Sequence, residues 1–131
     1  MNDAAAKSPK PLRMNQRAML IPEARFAEWH RIASATAGLS ELDHQVLDAI
    51  MGYYRLLDQR GQASVPSIEM MAKSSGVRPI DITSAIRHLI ELCLIAVRPG
   101  SGARRNEYLS CLPKRVVASM SAAAVEDAPP F

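Results

Sequence analysis

The 131-residue sequence is poor in aromatic side chains, in cysteine and in long apolar runs. Phe, Trp and Tyr make up only 5% of the chain, so we expect an aliphatic core that contains methionine. No apolar run approaches the roughly 18 residues that cross a bilayer, and the N-terminal stretch MNDAAAKSPKPLR lacks the apolar segment of a signal peptide. Two cysteines, Cys93 and Cys111, are too few for a disulfide scaffold. These absences predict a single reduced domain in the cytoplasm.

The motifs of common enzyme and cofactor sites are also missing. No GxxxxGK[ST] motif occurs, and GSGARR at 100–105 leads into a predicted strand rather than the helix of a phosphate-binding loop. His30, His44 and His88 fall on different predicted helices without paired ligand spacing. We therefore expect no enzymatic activity, no cofactor, no metal and no small-molecule ligand.

The charge pattern is compatible with an anionic partner. The formal net charge is +3 and the sequence pI is about 9.1. Near the N-terminus, Lys7, Lys10, Arg13 and Arg17 outnumber Asp3, and a second basic region follows an acidic helical middle. This distribution permits binding to nucleic acid but does not establish it.

Composition divides the chain into three parts. Residues 1–20 show no periodicity and predict a flexible basic arm, although AMLIP at 18–22 could form a short strand or an anchor. Residues 21–112 predict the folded domain. Residues 113–131 are rich in small side chains and predict either a flexible tail or a short helix.

Apolar spacing predicts four helices followed by a β-hairpin. The first helix spans residues 22–38 and ends at Gly38, and the second runs from its cap Ser40 to Gly61. Ser67 begins a short third helix that ends at Gly76, and Pro79 opens the fourth. After the fourth helix the period changes to that of strands, in LIAVR and NEYLSCL, which flank a long glycine-containing tip.

Residues 65–112 resemble the winged helix-turn-helix family in their spacing. The second helix resembles the supporting helix of that family, Gly76-Val77 the turn, LCLIAV the lead into the wing strand, and PGSGARRN the wing tip. Met71 and Ala72 match the apolar-Ala pair of the motif's first helix. The buried positions of its recognition helix are matched by Ile82, Ala85, Ile86 and Leu89. The resemblance implies a mainly α fold with a small β-hairpin.

The resemblance also implies a set of DNA-binding residues. In this fold the recognition helix reads base edges in the major groove, while the wing and the helix before it contact phosphates. The implied contacts are Lys73, Arg78, Ile80, Thr83, Ser84, Arg87, His88, Arg98, Arg104 and Arg105. The chain differs from the family in carrying Arg78 where Ser or Thr usually caps the recognition helix, and Asp81 in the first turn of that helix.

Three assignments remain open from the residues alone. Arg104 and Arg105 either contact nucleic acid or lie in a solvated hairpin tip. Ile80 either packs on a thymine methyl group or joins a protein interface. Cys93 and Cys111 either are buried free thiols or form a redox switch.

The resemblance implies sequence-specific binding of double-stranded DNA by a bacterial transcription regulator, without enzymatic activity. A homodimer through the first two helices would suit binding to two half-sites. The alternative is a winged-helix module for protein interaction, or an accessory protein in the replication or recombination of a mobile element.

Overall fold

A computed structural model describes residues 12–100 and 105–127, with side chains up to Met120. Residues 1–11 of the predicted arm, Arg104 in the predicted wing and residues 128–131 lie outside these ranges. The described part is mainly helical, with five α-helices and one three-stranded antiparallel sheet. None of its helices combines the length and apolar character that crossing a membrane requires. The order is β1 (Ala18–Leu20), a 3-10 turn (Glu23–Arg25), α1 (Phe26–Ser34), α2 (Glu41–Arg60), α3 (Ile68–Ser75), α4 (Pro79–Glu91), β2 (Ile95–Arg98), β3 (Glu107–Pro113) and α5 (Lys114–Asp127).

The ends of α2 and α3 lie where local sequence signals predict them. The Ser40 hydroxyl accepts the Asp43 N–H at 3.0 Å, and the Asp43 carboxylate accepts the Ser40 N–H at 2.9 Å, which forms a capping box. Ser67 caps α3 through its hydroxyl. Gly61 and Gly76 end the two helices with φ of 75° and 69°, a conformation that glycine adopts without steric cost.

The first predicted helix is shorter than the sequence suggests. A helix over residues 22–38 is replaced by the 3-10 turn and α1, which ends at Ser34. The N–H groups of Ala35 and Thr36 each bond to a carbonyl three residues back, so the chain tightens and leaves the helix there. Gly38, with φ of 89°, lies in the connection to α2 rather than at the helix end.

The sheet draws part of the predicted arm into the domain. Its strand order is β1-β3-β2, and Ala18 pairs with Pro113 while Ile95 pairs with Ser110. Before β1, Arg13 forms an isolated antiparallel bridge with Val97. Arg13 and Ala18–Leu20, which fall within the predicted arm, therefore pair with the sheet. At the other end, residues 114–127 form α5, the helical one of the two alternatives for the tail.

The core lies between the helices and one face of the sheet. It is mainly aliphatic, and the largest fully buried side chains include Trp29, Leu47, Ile50, Ile82, Leu89, Leu94, Ile95 and Leu112. The Trp29 indole donates to the Leu94 carbonyl at 2.9 Å, which joins α1 to the segment just before β2. The single tryptophan is therefore a core residue with a satisfied N–H group.

The two cysteines lie in a smaller cluster with Ala18 and Ala96, apart from the main core. Both are buried free thiols, which agrees with the first of the two predicted alternatives. Burial raises the pKa of the Cys111 thiol to about 12, and the nearby Cys93 adds to that shift. Cys93, two residues after the end of α4 at Glu91, has φ of 67°, a conformation in which a non-glycine residue is strained.

Candidate functional site

The α3–α4 pair presents one face of α4 to solvent. The turn between the helices closes on the Ala72 carbonyl, which accepts the Val77 N–H at 3.0 Å, and Pro79 is the first residue of α4. The inner face of α4 is buried at the predicted positions, namely Ile82, Ala85, Ile86 and Leu89. The hydrophobic spacing therefore fixes which side of α4 is available to a partner.

The exposed side of α4 is a stripe of mixed character. Ile80, Ser84, Arg87 and Glu91 are exposed and follow each other at helical spacing. Ile80 is 58% exposed, more than any other large apolar residue in the described ranges. The Arg87 guanidinium has neither a hydrogen bond nor an ion pair with any described residue. Thr83 is half-buried beside this stripe, and its hydroxyl bonds to the Pro79 carbonyl at 3.3 Å.

At the start of α4, Arg78 is engaged by Asp81. The Asp81 carboxylate accepts the Arg78 backbone N–H at 3.0 Å and the guanidinium at 3.3 Å. Hydrogen bonds from Arg78 to the carboxylate lower the pKa of Asp81 and raise that of Arg78. Asp81, the third residue of α4, thus accepts the backbone N–H of the residue before the helix, as in a capping box. It also partly neutralises Arg78, which was predicted to contact phosphate.

His88 connects α4 to the beginning of α2. Its Nδ1 lies 2.7 Å from the Asp43 carboxylate, which is only 2% exposed and also accepts the Ser40 N–H. The His88 side chain remains 41% exposed. The residue therefore holds the two helices together, and only part of its surface is available to a partner.

The hairpin uses its described arginines to hold itself in place. Arg98 and Glu107 pair across the two strands at 3.3 Å. The Arg105 guanidinium donates to the Val65 carbonyl at 2.6 Å, which attaches the hairpin to the loop before α3. Arg105 remains exposed to solvent despite this hydrogen bond, so it can still reach a partner. Arg104 lies in the undescribed part of the tip.

The remaining predicted cation is Lys73, on α3. Its side chain is exposed and makes no hydrogen bond or ion pair among residues 12–100 and 105–120. On the same helix, Met70 is 57% exposed beside a shallow groove formed with Val46 and Ala49 of α2. The short helix therefore offers the unpaired positive charge of Lys73 and one exposed apolar side chain, beside the exposed acid Glu69.

The structure brings the predicted residues into two groups and adds two that the sequence analysis missed. One group lies on α3 and α4, and the other lies on the hairpin. Asp43 supports His88 from a position 45 residues away, which no local pattern could reveal. Arg13 adjoins the hairpin through its pairing with Val97, and its only sequence signal was the basic character of the arm. Within the described ranges, no three His, Cys, Asp or Glu side chains are grouped to hold a metal.

Comparison of the chain with protein-family models, with curated proteins and with solved structures finds no significant match in any of the three.

Proposed function

We propose that the chain is a non-enzymatic winged helix-turn-helix protein that binds double-stranded DNA. In this proposal α3 and α4 form the helix-turn-helix, α4 is the recognition helix and the β2–β3 hairpin is the wing. The observation that carries the proposal is the exposed stripe of α4. It contains Ser84 and the unpaired Arg87, and the opposite face of the helix is buried in the core. Such groups can donate hydrogen bonds to base edges and phosphates.

The surrounding contacts support this assignment. Arg105 attaches the hairpin to the loop before α3 through the Val65 carbonyl, so the hairpin and the α3–α4 pair belong to one connected surface. Lys73 adds an unpaired charge from α3. Each cation that neutralises a phosphate would release counterions and make binding depend on salt. Transcription regulation by a bacterial protein, acting as a homodimer, is the biological role that we propose for this activity.

The proposal is tested by selection of bound duplexes from a random pool, followed by fluorescence anisotropy across a salt series. We expect an enriched motif and a Kd that rises steeply with salt concentration. The double variant K73A/R87A should weaken binding and reduce the slope of log K against log salt by roughly one to two units. The matched control R31A/R55A removes two exposed arginines of α1 and α2 and should leave the slope unchanged.

Two results would contradict the proposal. Absence of duplex binding at physiological salt would remove DNA as the partner. An equal loss in K73A/R87A and R31A/R55A would show that only net charge matters, so that α4 would not be the reading element. Thermal unfolding of both variants would verify that each remains folded.

A second candidate function is a winged-helix module for protein interaction, which includes an adaptor in replication or recombination. Ile80 and Met70 favour it, since these two side chains are the most exposed large apolar groups among the described residues and lie on α4 and α3. An M70S variant, at a residue outside the implied DNA contacts, distinguishes the candidates. It should retain duplex binding under the first and lose a stable protein complex under the second.

A further inference from the structure

Three sulfur-bearing side chains lie together outside the main core, at the junction between α4 and β2. Cys93 and Cys111 are both buried and belong to the same small cluster. The Cys111 N–H bonds to the Leu94 carbonyl at 3.1 Å, which brings β3 alongside the residue next to Cys93. The Cys111 thiol in turn contacts the Met14 thioether, with 3.7 Å between the two sulfurs. Two thiols and one thioether are therefore neighbours, although they come from three parts of the chain.

The segment that carries Met14 is fixed on both sides of that residue. Arg13 and Val97 exchange two backbone hydrogen bonds, of 2.8 and 3.0 Å. The Asn15 amide donates to the Glu91 carbonyl at the end of α4, at 3.0 Å. The Met14 side chain is nevertheless 37% exposed, whereas the two thiols are buried. The thioether therefore contacts both a buried thiol and solvent, so an ion from solution can reach it.

The spacing of the sulfurs suits two ligands of one metal ion. With metal–sulfur bonds of about 2.3 Å, two sulfurs on the same ion are about 3.8 Å apart in a tetrahedral site and about 4.0 Å apart in a trigonal one. The sulfurs of Cys111 and Met14 are 3.7 Å apart, so both can bind one ion with little movement. Thiolate and thioether sulfurs are soft ligands, and such ligands select Cu(I) over harder ions.

Cys93 occupies a backbone conformation that favours glycine. Its φ of 67° lies in the left-handed region, which glycine commonly occupies just after a helix. The chain thus carries a thiol there at the cost of backbone strain, and strained residues are concentrated at functional sites. The strain by itself identifies no ligand, but here it accompanies a second thiol beside the contact between Cys111 and Met14.

We propose that Met14, Cys93 and Cys111 form a binding site for a Cu(I) ion. Each thiol loses its proton to solvent as its Cu–S bond forms, the thioether donates a lone pair, and no electron is transferred. The spacing of the cysteines in the sequence does not reveal this site, because Met14 joins the two thiols only through the fold. The inference is independent of the proposed function, and DNA takes no part in its test.

Anaerobic competition of the full chain with the Cu(I) chelator bicinchoninate tests the site. We expect about one Cu(I) per chain, with X-ray absorption that shows sulfur neighbours at about 2.3 Å. M14L should weaken binding by at least about tenfold, since even the outer contacts of metal sites contribute that much. The control M19L replaces a methionine that is 42% exposed and makes no hydrogen bond to either thiol, and it should bind as the unmodified chain does.

C93G provides a second variant. It removes one thiol and relieves the positive φ, so we expect it to lose Cu(I) binding while the chain stays folded. Thermal unfolding checks each variant, and M14L, at an exposed side chain, tests the site even if C93G is destabilised.

The inference is overturned by any of several results. Retained binding in C93G, or an equal loss in M14L and M19L, would remove these sulfurs from the site. Zn²⁺ binding as tight as that of Cu(I) would show that the site does not select a soft ion. Formation of a disulfide in place of a copper complex, detected by thiol alkylation and mass spectrometry, would make the two cysteines a redox pair instead.

Discussion

The outer face of α4 and the β2–β3 hairpin use their charged side chains in different ways. On α4, Arg87 stands unpaired among the described residues, next to the uncharged Ser84. On the hairpin, Arg98 is paired with Glu107, and Arg105 is bonded to the Val65 carbonyl. The hairpin carries more arginines, yet those that are described stabilise its own position. The number of cations in a segment therefore does not measure the charge available to a partner.

The two regions are also held in place differently. α4 rests on buried side chains and on the bond between His88 and the buried Asp43. The hairpin depends on contacts to its backbone, including the bond from the Tyr54 hydroxyl to the Tyr108 carbonyl. These supports can be removed one at a time, which makes the difference between the regions testable.

Removing Asp43 should have the largest effect on stability. D43A deletes a buried carboxylate that caps α2 and holds His88, so we expect the free energy of unfolding to fall by about 2–4 kcal/mol. Urea unfolding measures the loss. E41A, which removes an exposed acid from the same first turn of α2, is the control and should cost much less. Equal effects of D43A and E41A would show that the link to His88 is not a support of α4.

On the proposed function, Arg87 and Arg105 should separate the specificity of DNA binding from its affinity. R87A should weaken binding to the selected motif by about 1–3 kcal/mol while changing binding to random duplex far less, because a base contact distinguishes sequences. R105A should weaken binding to both duplexes by similar factors, because a phosphate contact does not distinguish one sequence from another. Anisotropy titrations with the two duplexes measure both effects. A uniform loss in R87A would place Arg87 on the backbone.

Tyr54 should support the hairpin by about 1 kcal/mol at neutral pH. Y54F loses one buried hydrogen bond, and Y53F, at the neighbouring half-buried position, is the control. Burial raises the pKa of Tyr54 from 10.0 to about 12, so the folded state favours the neutral phenol. This contribution is complete below about pH 10 and is lost as pH rises toward 12. Urea unfolding from pH 8 to 12 should show a shallower alkaline loss in Y54F than in the unmodified chain, and parallel curves would contradict this.

Breaking the attachment of Arg105 should have the smallest effect on stability. R105A removes a hydrogen bond at an exposed side chain, and we expect a cost of about 0.5 kcal/mol. Amide hydrogen exchange in β2 and β3 is a more sensitive measurement, and it should quicken near the tip and not in α4. Unchanged exchange in the hairpin would mean that the bond to Val65 does not restrain it.

The helix caps, which depend on contacts between residues close in sequence, could be predicted. Contacts between residues distant in sequence could not. Ser40, Ser67, Gly61 and Gly76 cap helices as predicted, because each bonds to groups at most four residues away. Apolar spacing predicted a mainly helical fold with a β-hairpin, and the structure is mainly helical with that hairpin inside a three-stranded sheet. The winged-helix assignment and the DNA contacts remain predictions from the resemblance.

The early end of α1 at Ser34 was a local misprediction, whereas the other unpredicted contacts join distant residues. Arg13 pairs with Val97, Asp43 with His88, and Arg105 with Val65. In each case the sequence next to the two residues carries no motif that indicates the partner. Only the tertiary fold brings these partners together. That is why the sequence identified the helix that carries the candidate site but not which of its cations are free.

The junction between α4 and β2 has a mechanical consequence. Only Leu92, Cys93 and Leu94 separate the two elements, and the indole of the buried Trp29 bonds to the Leu94 carbonyl. Such a short, enclosed connection leaves little freedom for helix and hairpin to move relative to each other. On the proposed function, the spacing between groove contact and backbone contact is set by the protein. A duplex in which the distance from groove to phosphate backbone differs from that spacing would have to deform. The stiffness of the DNA would then contribute to the choice of target.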